Sequence, residues 1–405
     1  MRIFAGIKAF IMNIIYVLNG TSLTGGATKA FLTIVNGMLS KHNTIYAILP
    51  NRHGVYHELC RMGVEVIVVP LRPLTYPFLT NLLQCVIFIP MLLSWWIRNA
   101  YSLYKLKRIF KNKHIDLIHT NVSIIGIGYS LAKYLEVPHI YHIREYADLD
   151  FHYHYFPTKK SFYRRLQTKN SYNICITKAI QAYHGLTSSG SSRVIYDGIS
   201  LQEAKPDKDG RHDYFLYAGR IEISKGAHDL IKAYFQYTKR TNTNIVPLKL
   251  AGGVADSVYE TKLKRLIEKY HIQEHVQFLG ERKDIGNLMR NAKAIILPSL
   301  HEGFGLCMPE AMCNHCVVIA RNTAGFQEQF ANGIEVTGEA IGLPFSTNEE
   351  LTQHLLDVAS RPFHDYDTIR ERAKHTVEHL YSPEIYVRNI QNFYDEIILK
   401  SNDEC

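Results

Sequence analysis

PSLHEGFGLCMPEAM, Pro298–Met312, is the stretch that decides the fold class of this chain. The apolar run Ala294–Leu297 ends against it, a turn containing Gly303 and Gly305 follows, and helical spacing begins near Leu306. Strand, glycine turn and helix form the joint of a parallel α/β sheet, and the first N–H groups of such a helix point into the turn with its positive end. That geometry suits a diphosphate. Glu302 in the turn and Glu310 early in the helix supply two acceptors of the kind that sugar and ribose hydroxyls need. The competing reading is a helix start whose acids only complement the dipole.

Working outward, the same joint recurs at YAGRIEISKG, Tyr217–Gly226. Arg220 and Lys225 are placed to converge on one anion, and Gly219 and Gly226 let backbone approach it closely. Two solvated surface charges are the alternative. A third joint, NGTSLTGGAT at Asn19–Thr28, lacks the Gly-Lys-Ser/Thr ending of a phosphate loop and the G-x-G-x-x-G spacing of a dinucleotide site. A plain tight turn explains it equally well.

Around these joints, short apolar runs alternate with helical stretches. Ile14–Leu18, Thr44–Leu49, Val64–Val69 and Asp116–His119 make a first series, and Tyr214–Ala218, Val246–Ala251, Val276–Leu279, Ala294–Leu297 and Val317–Ala320 a second. Alternation of this kind predicts parallel sheets covered by helices on both faces, with ligands beyond the carboxyl ends of the strands. The informative loops are then Gly20–Gly26, Asn121–Ser123 and His142–Glu145. Ser200–His212, SLQEAKPDKDGRH, has the composition of an exposed connection. At 405 residues the chain fits two domains, 1–199 and 200–380, with a helix in 381–405 predicted to pack back across the first.

A hydrophobic content of 46% with 20% charged residues excludes disordered, collagen-like and coiled-coil classes. The net charge of +9 leaves anionic membrane, nucleic acid and anionic small substrates open. Basic and aromatic residues mix between Phe151 and Arg165, but no nucleic-acid motif accompanies them, so no nucleic-acid partner is expected. Seven scattered cysteines point to a reducing cytosol. Residues 79–97, LTNLLQCVIFIPMLLSWWI, approach the length of a membrane span yet contain Asn81, Gln84 and Pro90. Flanked by Arg72, Arg98, Lys105, Lys107 and Arg108, the segment reads as an interfacial helix at an anionic membrane surface, or as a buried helix pair.

The Glu302-Gly-Phe-Gly-Leu…Glu310 pattern, the Gly219-Arg220…Lys225-Gly226 pair and the Gly25-Gly26 turn together resemble family-4 retaining glycosyltransferases. VIYDGI at Val194–Ile199, Phe278-Leu279-Gly280 and NTAGFQE at Asn322–Glu328 extend the resemblance over nearly the whole chain. It implies a GT-B architecture, two doubly wound Rossmann-like domains facing a central cleft, with the donor nucleotide on the second and the acceptor on the first. By motif match, Glu310 binds ribose, Arg220 and Lys225 the diphosphate, Glu302 and the backbone at Phe304, Gly305 and Leu306 the transferred sugar, and Gly26 the phosphates, while Gly280–Arg282 lines the base pocket. His142 stands where relatives carry an active-site histidine, and Arg144, Glu145 and Asn121 are expected at the acceptor.

Two departures from the family pattern stand out. Cys313-Asn314-His315-Cys316 replaces a Gly-Pro helix end, and Asp197 replaces Asn, a change of little weight if the position only caps a turn. The Cys313/Cys316 spacing lacks the second ligand pair of a structural zinc site, so no metal is expected. The implied reaction uses positively charged side chains and dipoles instead of a divalent cation, needs no cofactor, and takes a nucleotide-sugar donor, uridine diphosphate by default, to a saccharide or lipid-linked saccharide at the cytoplasmic membrane face. A non-catalytic sugar-binding protein and an epimerase or phosphorylase on the same scaffold are the competing classes.

Overall fold

A computed structural model of the protein describes residues 11–23, 25–77, 82–151, 153–201 and 213–403. The start of the apolar stretch at 79–97 and most of the connection at 200–212 fall outside them. The chain divides into two units, one running to Gly198 and resuming at Pro383, the other Ile199–Ser382.

The first unit holds β1 (Asn13–Val17), β2 (Thr44–Leu49), β3 (Glu65–Val68), β4 (Thr75–Pro77), β5 (Leu117–Thr120), β6 (His139–Ile143), β7 (Tyr153–Tyr155), β8 (Ser171–Cys175) and β9 (Ser192–Val194). Seven of these form one parallel sheet in the order β3-β2-β1-β5-β6-β8-β9, while β4 and β7 pair antiparallel beside it. β5 and β6 are buried at every position, as a strand covered by helices on both faces must be. This is why β6 shows no alternation and why His142, expected in a loop after a strand, lies inside the strand instead.

Helix Pro383–Asp403 completes this unit. Tyr386, Val387, Ile390, Phe393, Tyr394 and Ile397 recur at helical spacing and join the core formed by β1 and helix Gly26–Leu39. Gly37 is what lets the two helices approach, because a Cβ there would stand 2.4 Å from Val387.

In the second unit, β10 (Phe215–Ala218), β11 (Leu248–Ala251), β12 (Val276–Gly280), β13 (Ala294–Leu297), β14 (Val318–Arg321) and β15 (Leu343–Phe345) form a parallel sheet in the order β12-β11-β10-β13-β14-β15. From β10 the order runs one way to β11 and the other way to β13. The crevice between their carboxyl ends is the switch point where such sheets bind ligands.

Candidate active site

Both charged loops of the sequence open at that switch point. After β10 the chain turns through Gly219–Gly226 into helix Ala227–Arg240, and after β13 through Pro298–Leu306 into helix Cys307–Cys313. The loops are bonded to each other, Leu300 N–H donating to the Ser224 carbonyl at 2.9 Å. Gly226 makes the approach possible. It has φ +70°, and a Cβ would stand 2.0 Å from the Pro298 carbonyl oxygen.

Lys225 and Glu302 meet across this joint, Nζ to Oε2 at 2.7 Å, with both side chains about four-fifths buried. Burial alone would lower the Lys225 pKa, but the Glu302 carboxylate outweighs it and holds the ammonium above its usual value. The cation is thus fixed at the mouth of the switch point. Arg220 is half-exposed in the same loop and pairs with Glu222 at 3.0 Å, which also accepts from Ser224 Oγ at 2.8 Å. Tyr217 holds the loop from below, its hydroxyl donating to the Arg220 carbonyl at 2.8 Å, and Gly219 N–H donates to Ala251.

On the other loop, Phe304 is buried and its carbonyl accepts from Gln329, while Gly305 takes φ +83° against the Phe326 ring. Among the described residues, the N–H groups of Gly305 and Leu306 find no protein partner. Glu310 is partly buried in the first turn of the helix that follows, its N–H donating to the Leu306 carbonyl at 3.0 Å. Arg282, beyond β12, is exposed and paired with Asp284 at 2.6 Å.

In the first unit, Gly26 opens the helix after β1, and Asn121 follows β5. Arg144 and Glu145 are buried and committed to their neighbours. Arg144 donates to both Asp197 oxygens, to the carbonyl and side chain of Asn121 at 3.2 and 3.3 Å, and to Tyr386 at 3.1 Å. Glu145 accepts from Ser123 N–H and Oγ at 2.9 and 2.7 Å. Asp197 therefore does more than cap a turn: it is the buried counter-ion of Arg144, a role that its place in a link segment did not signal.

His142 sits above this pair. Arg144 carries only donors, so His142 Nδ1 must accept from it, at 3.3 Å, and the ring proton resides on Nε2. His119 Nε2 donates to the same Nδ1 at 3.1 Å, leaving His119 Nδ1 to accept from the Tyr394 hydroxyl, which lies 3.2 Å from that of Tyr16. His142 Nε2–H is left without a hydrogen-bond partner, 3.9 Å from Asp197. Burial first, then the Arg144 charge, drives both histidines well below the usual imidazole range. Neither carries a charge near neutrality. His119, Tyr386 and Tyr394 were not singled out from sequence, although Tyr386 and Tyr394 stand eight residues apart on one helix face.

No group of three metal-ligating side chains occurs among the described residues. Asp-x-Asp spacing does occur, at Asp148-Leu149-Asp150, Asp207-Lys208-Asp209 and Asp365-Tyr366-Asp367. The middle one lies outside the described residues, while Asp148 is held by Lys159 and Tyr183, and Asp367 by Arg370.

Residues 199–376 match the family model for glycosyl transferases group 1. The match runs over nearly the whole of the second unit, Ile199–Ser382. An uncharacterized glycosyltransferase of Methanocaldococcus jannaschii is 26% identical over 59% of this chain and 64% of its own length. The alpha-monoglucosyldiacylglycerol synthase of Acholeplasma laidlawii is 23% identical over 70% of this chain and 76% of its own. Anabaena HepE, solved with UDP and glucose, superposes with a TM-score of 0.72 at 19% identity, covering 94% of this chain and 98% of HepE. The structural match bears out two doubly wound Rossmann-like sheets of GT-B type. The switch-point loops described above lie inside the stretch matched to group 1.

Proposed function

We propose that this protein is a retaining glycosyltransferase that moves a sugar from a nucleotide-diphosphate donor, with uridine diphosphate as carrier, to a saccharide or lipid-linked saccharide acceptor. One observation carries the proposal: the Lys225–Glu302 pair closes the switch point of a group 1 unit, so a fixed cation and a fixed hydroxyl acceptor share the place where such sheets bind ligands. HepE, solved with UDP and glucose, and the alpha-monoglucosyldiacylglycerol synthase support the choice of donor and acceptor class.

In this reaction the bond from the anomeric carbon to the diphosphate oxygen breaks, and the acceptor oxygen forms its bond on the same face. The acceptor hydroxyl proton passes to the departing phosphate oxygen. Lys225 and Arg220 balance the charge that grows there, and the free N–H groups of Gly305 and Leu306 add donors, so no divalent cation takes part. Glu302 accepts from the transferred sugar and Glu310 from the ribose, with Phe304 and Gly219 shaping the approach and Arg282 bordering the base. Within the first unit, the His142 Nε2–H is the donor offered to a sugar hydroxyl, and Arg144, Glu145 and Asn121 set the acceptor side.

A panel of nucleotide sugars scored for released nucleotide diphosphate, followed by mass and NMR analysis of the product, tests this. Expected are a mass gain of one sugar with the donor's anomeric configuration, turnover unchanged by EDTA, and a fall of about 10²–10³ in kcat for Lys225→Ala or Arg220→Ala with the fold intact. Near-normal turnover in both variants, an inverted product, or isomerised donor without transfer would each overturn it.

A further inference from the structure

Helix Leu82–Phe110 is secured to the first unit near its end. Ser102 donates to the Pro70 carbonyl at 2.7 Å, Asn99 brackets the Arg72 backbone with bonds of 3.1 and 3.3 Å, and Leu106 and Phe110 are fully buried in the core. The other face differs. Val86, Ile89, Leu93, Ile97, Tyr101 and Tyr104 are 53–73% exposed, and because they recur three or four residues apart they form one stripe along the helix. Exposed Arg108 and Lys111 continue the stripe at the same spacing, with exposed Arg98 to one side. The helix contains no Asp or Glu.

We propose that this stripe docks the protein on a lipid surface bearing anionic headgroups, the helix lying in the plane of the interface. Among the described residues no helix is long and apolar enough to cross a membrane, so the apolar stripe has an interface to enter and no span to make. Its order matches the depth profile of a bilayer edge: aliphatic side chains, then tyrosines with an apolar body and polar tip, then cations. A second copy of the chain fits poorly. Parallel stripes would set Arg108 and Lys111 against themselves, and antiparallel ones would bury those cations on Val86 and Ile89 without partners. The inference stands on this helix alone and does not depend on sugar transfer.

The test is sedimentation of the full chain with vesicles of phosphatidylcholine, alone or with roughly one-third phosphatidylglycerol. Binding to the mixed vesicles, weakening as salt rises, is expected. Leu93→Glu with Ile97→Glu, both exposed and checked by an unchanged thermal transition, should lower it at least about tenfold, and Arg108→Ala or Lys111→Ala about fivefold each. Absence of binding to the mixed vesicles, undiminished binding by the double variant, or a concentration-dependent dimer that the double variant dissolves would overturn it.

Discussion

Replacing Asp197 with alanine removes the carboxylate that neutralises Arg144 in a site where both side chains are only 4–5% exposed. A guanidinium left buried without its counter-ion costs about 3–5 kcal/mol, well above the ~1 kcal/mol of an exposed pair. For a unit of roughly 200 residues, each kcal/mol moves the midpoint by about 2–4 °C, so the transition of the first unit should fall by ~6–20 °C. Differential scanning calorimetry gives the shift. Asp197→Asn keeps a hydrogen-bond acceptor for Arg144 but removes the counter-charge, and should lose somewhat less than alanine. Arg144→Met added to Asp197→Ala removes the stranded charge, and the pair should cost less than the sum of the single changes by about 0.5–3 kcal/mol. A single variant within ~1 kcal/mol of the parent, or strict additivity, would refute the view that this ion pair is desolvated and coupled.

Protonation provides a second check. His119, His142 and His139 are neutral when folded, His139 pushed down to about 3 by burial and then by Arg165, yet each would take a proton near its ordinary 6.5 once unfolded. The unfolded chain binds more protons, so stability falls as pH drops below ~6.5, by about 1.4 kcal/mol per pH unit for each histidine. Urea unfolding of His139→Gln should show a slope shallower by that amount, and an unchanged slope would count against burial as the cause. Gly226→Ala, with φ +70° and a carbonyl oxygen at 2.0 Å from the new Cβ, should cost more than the ~1–3 kcal/mol of backbone strain alone and abolish turnover together with the Lys225–Glu302 contact. Nitrogen-15 NMR of His142 should report the Nε2–H tautomer, with Tyr394→Phe altering the His119 signals first. A protonated Nδ1 on His142 would contradict the donor-only role of Arg144.

Much of the scaffold was legible because glycine joints and apolar runs are local signals. Ala294–Leu297 and Thr44–Leu49 were bounded to the residue. The charged loops after β10 and β13 could likewise be read as one neighbourhood, since parallel order places the carboxyl ends of their strands together. What stayed hidden depends on contacts between distant positions. Nothing near Asp197 announces a partner 53 residues away, and His119 becomes meaningful only when Tyr394, 275 residues on, arrives at its ring. His142 reads as a loop residue from sequence, yet lies in a strand, because a doubly covered strand has no polar-apolar alternation to mark its end. Pro90 interrupts the apolar pattern in the sequence, but it sits within an unbroken helix from Leu82 to Phe110.

The helix that completes the first unit is also the part of it that the ribosome makes last. Between Gly198 and Pro383 the whole of the second unit must be synthesised, and until then β1 and helix Gly26–Leu39 lack the cover of Tyr386, Ile390 and Tyr394. The customary order, amino-terminal domain first, is therefore reversed here: the second unit can mature on the nascent chain while the first waits with an apolar groove uncovered. Termination between Ser382 and Tyr386 would release a protein with a whole second unit and a first unit whose apolar groove stays uncovered.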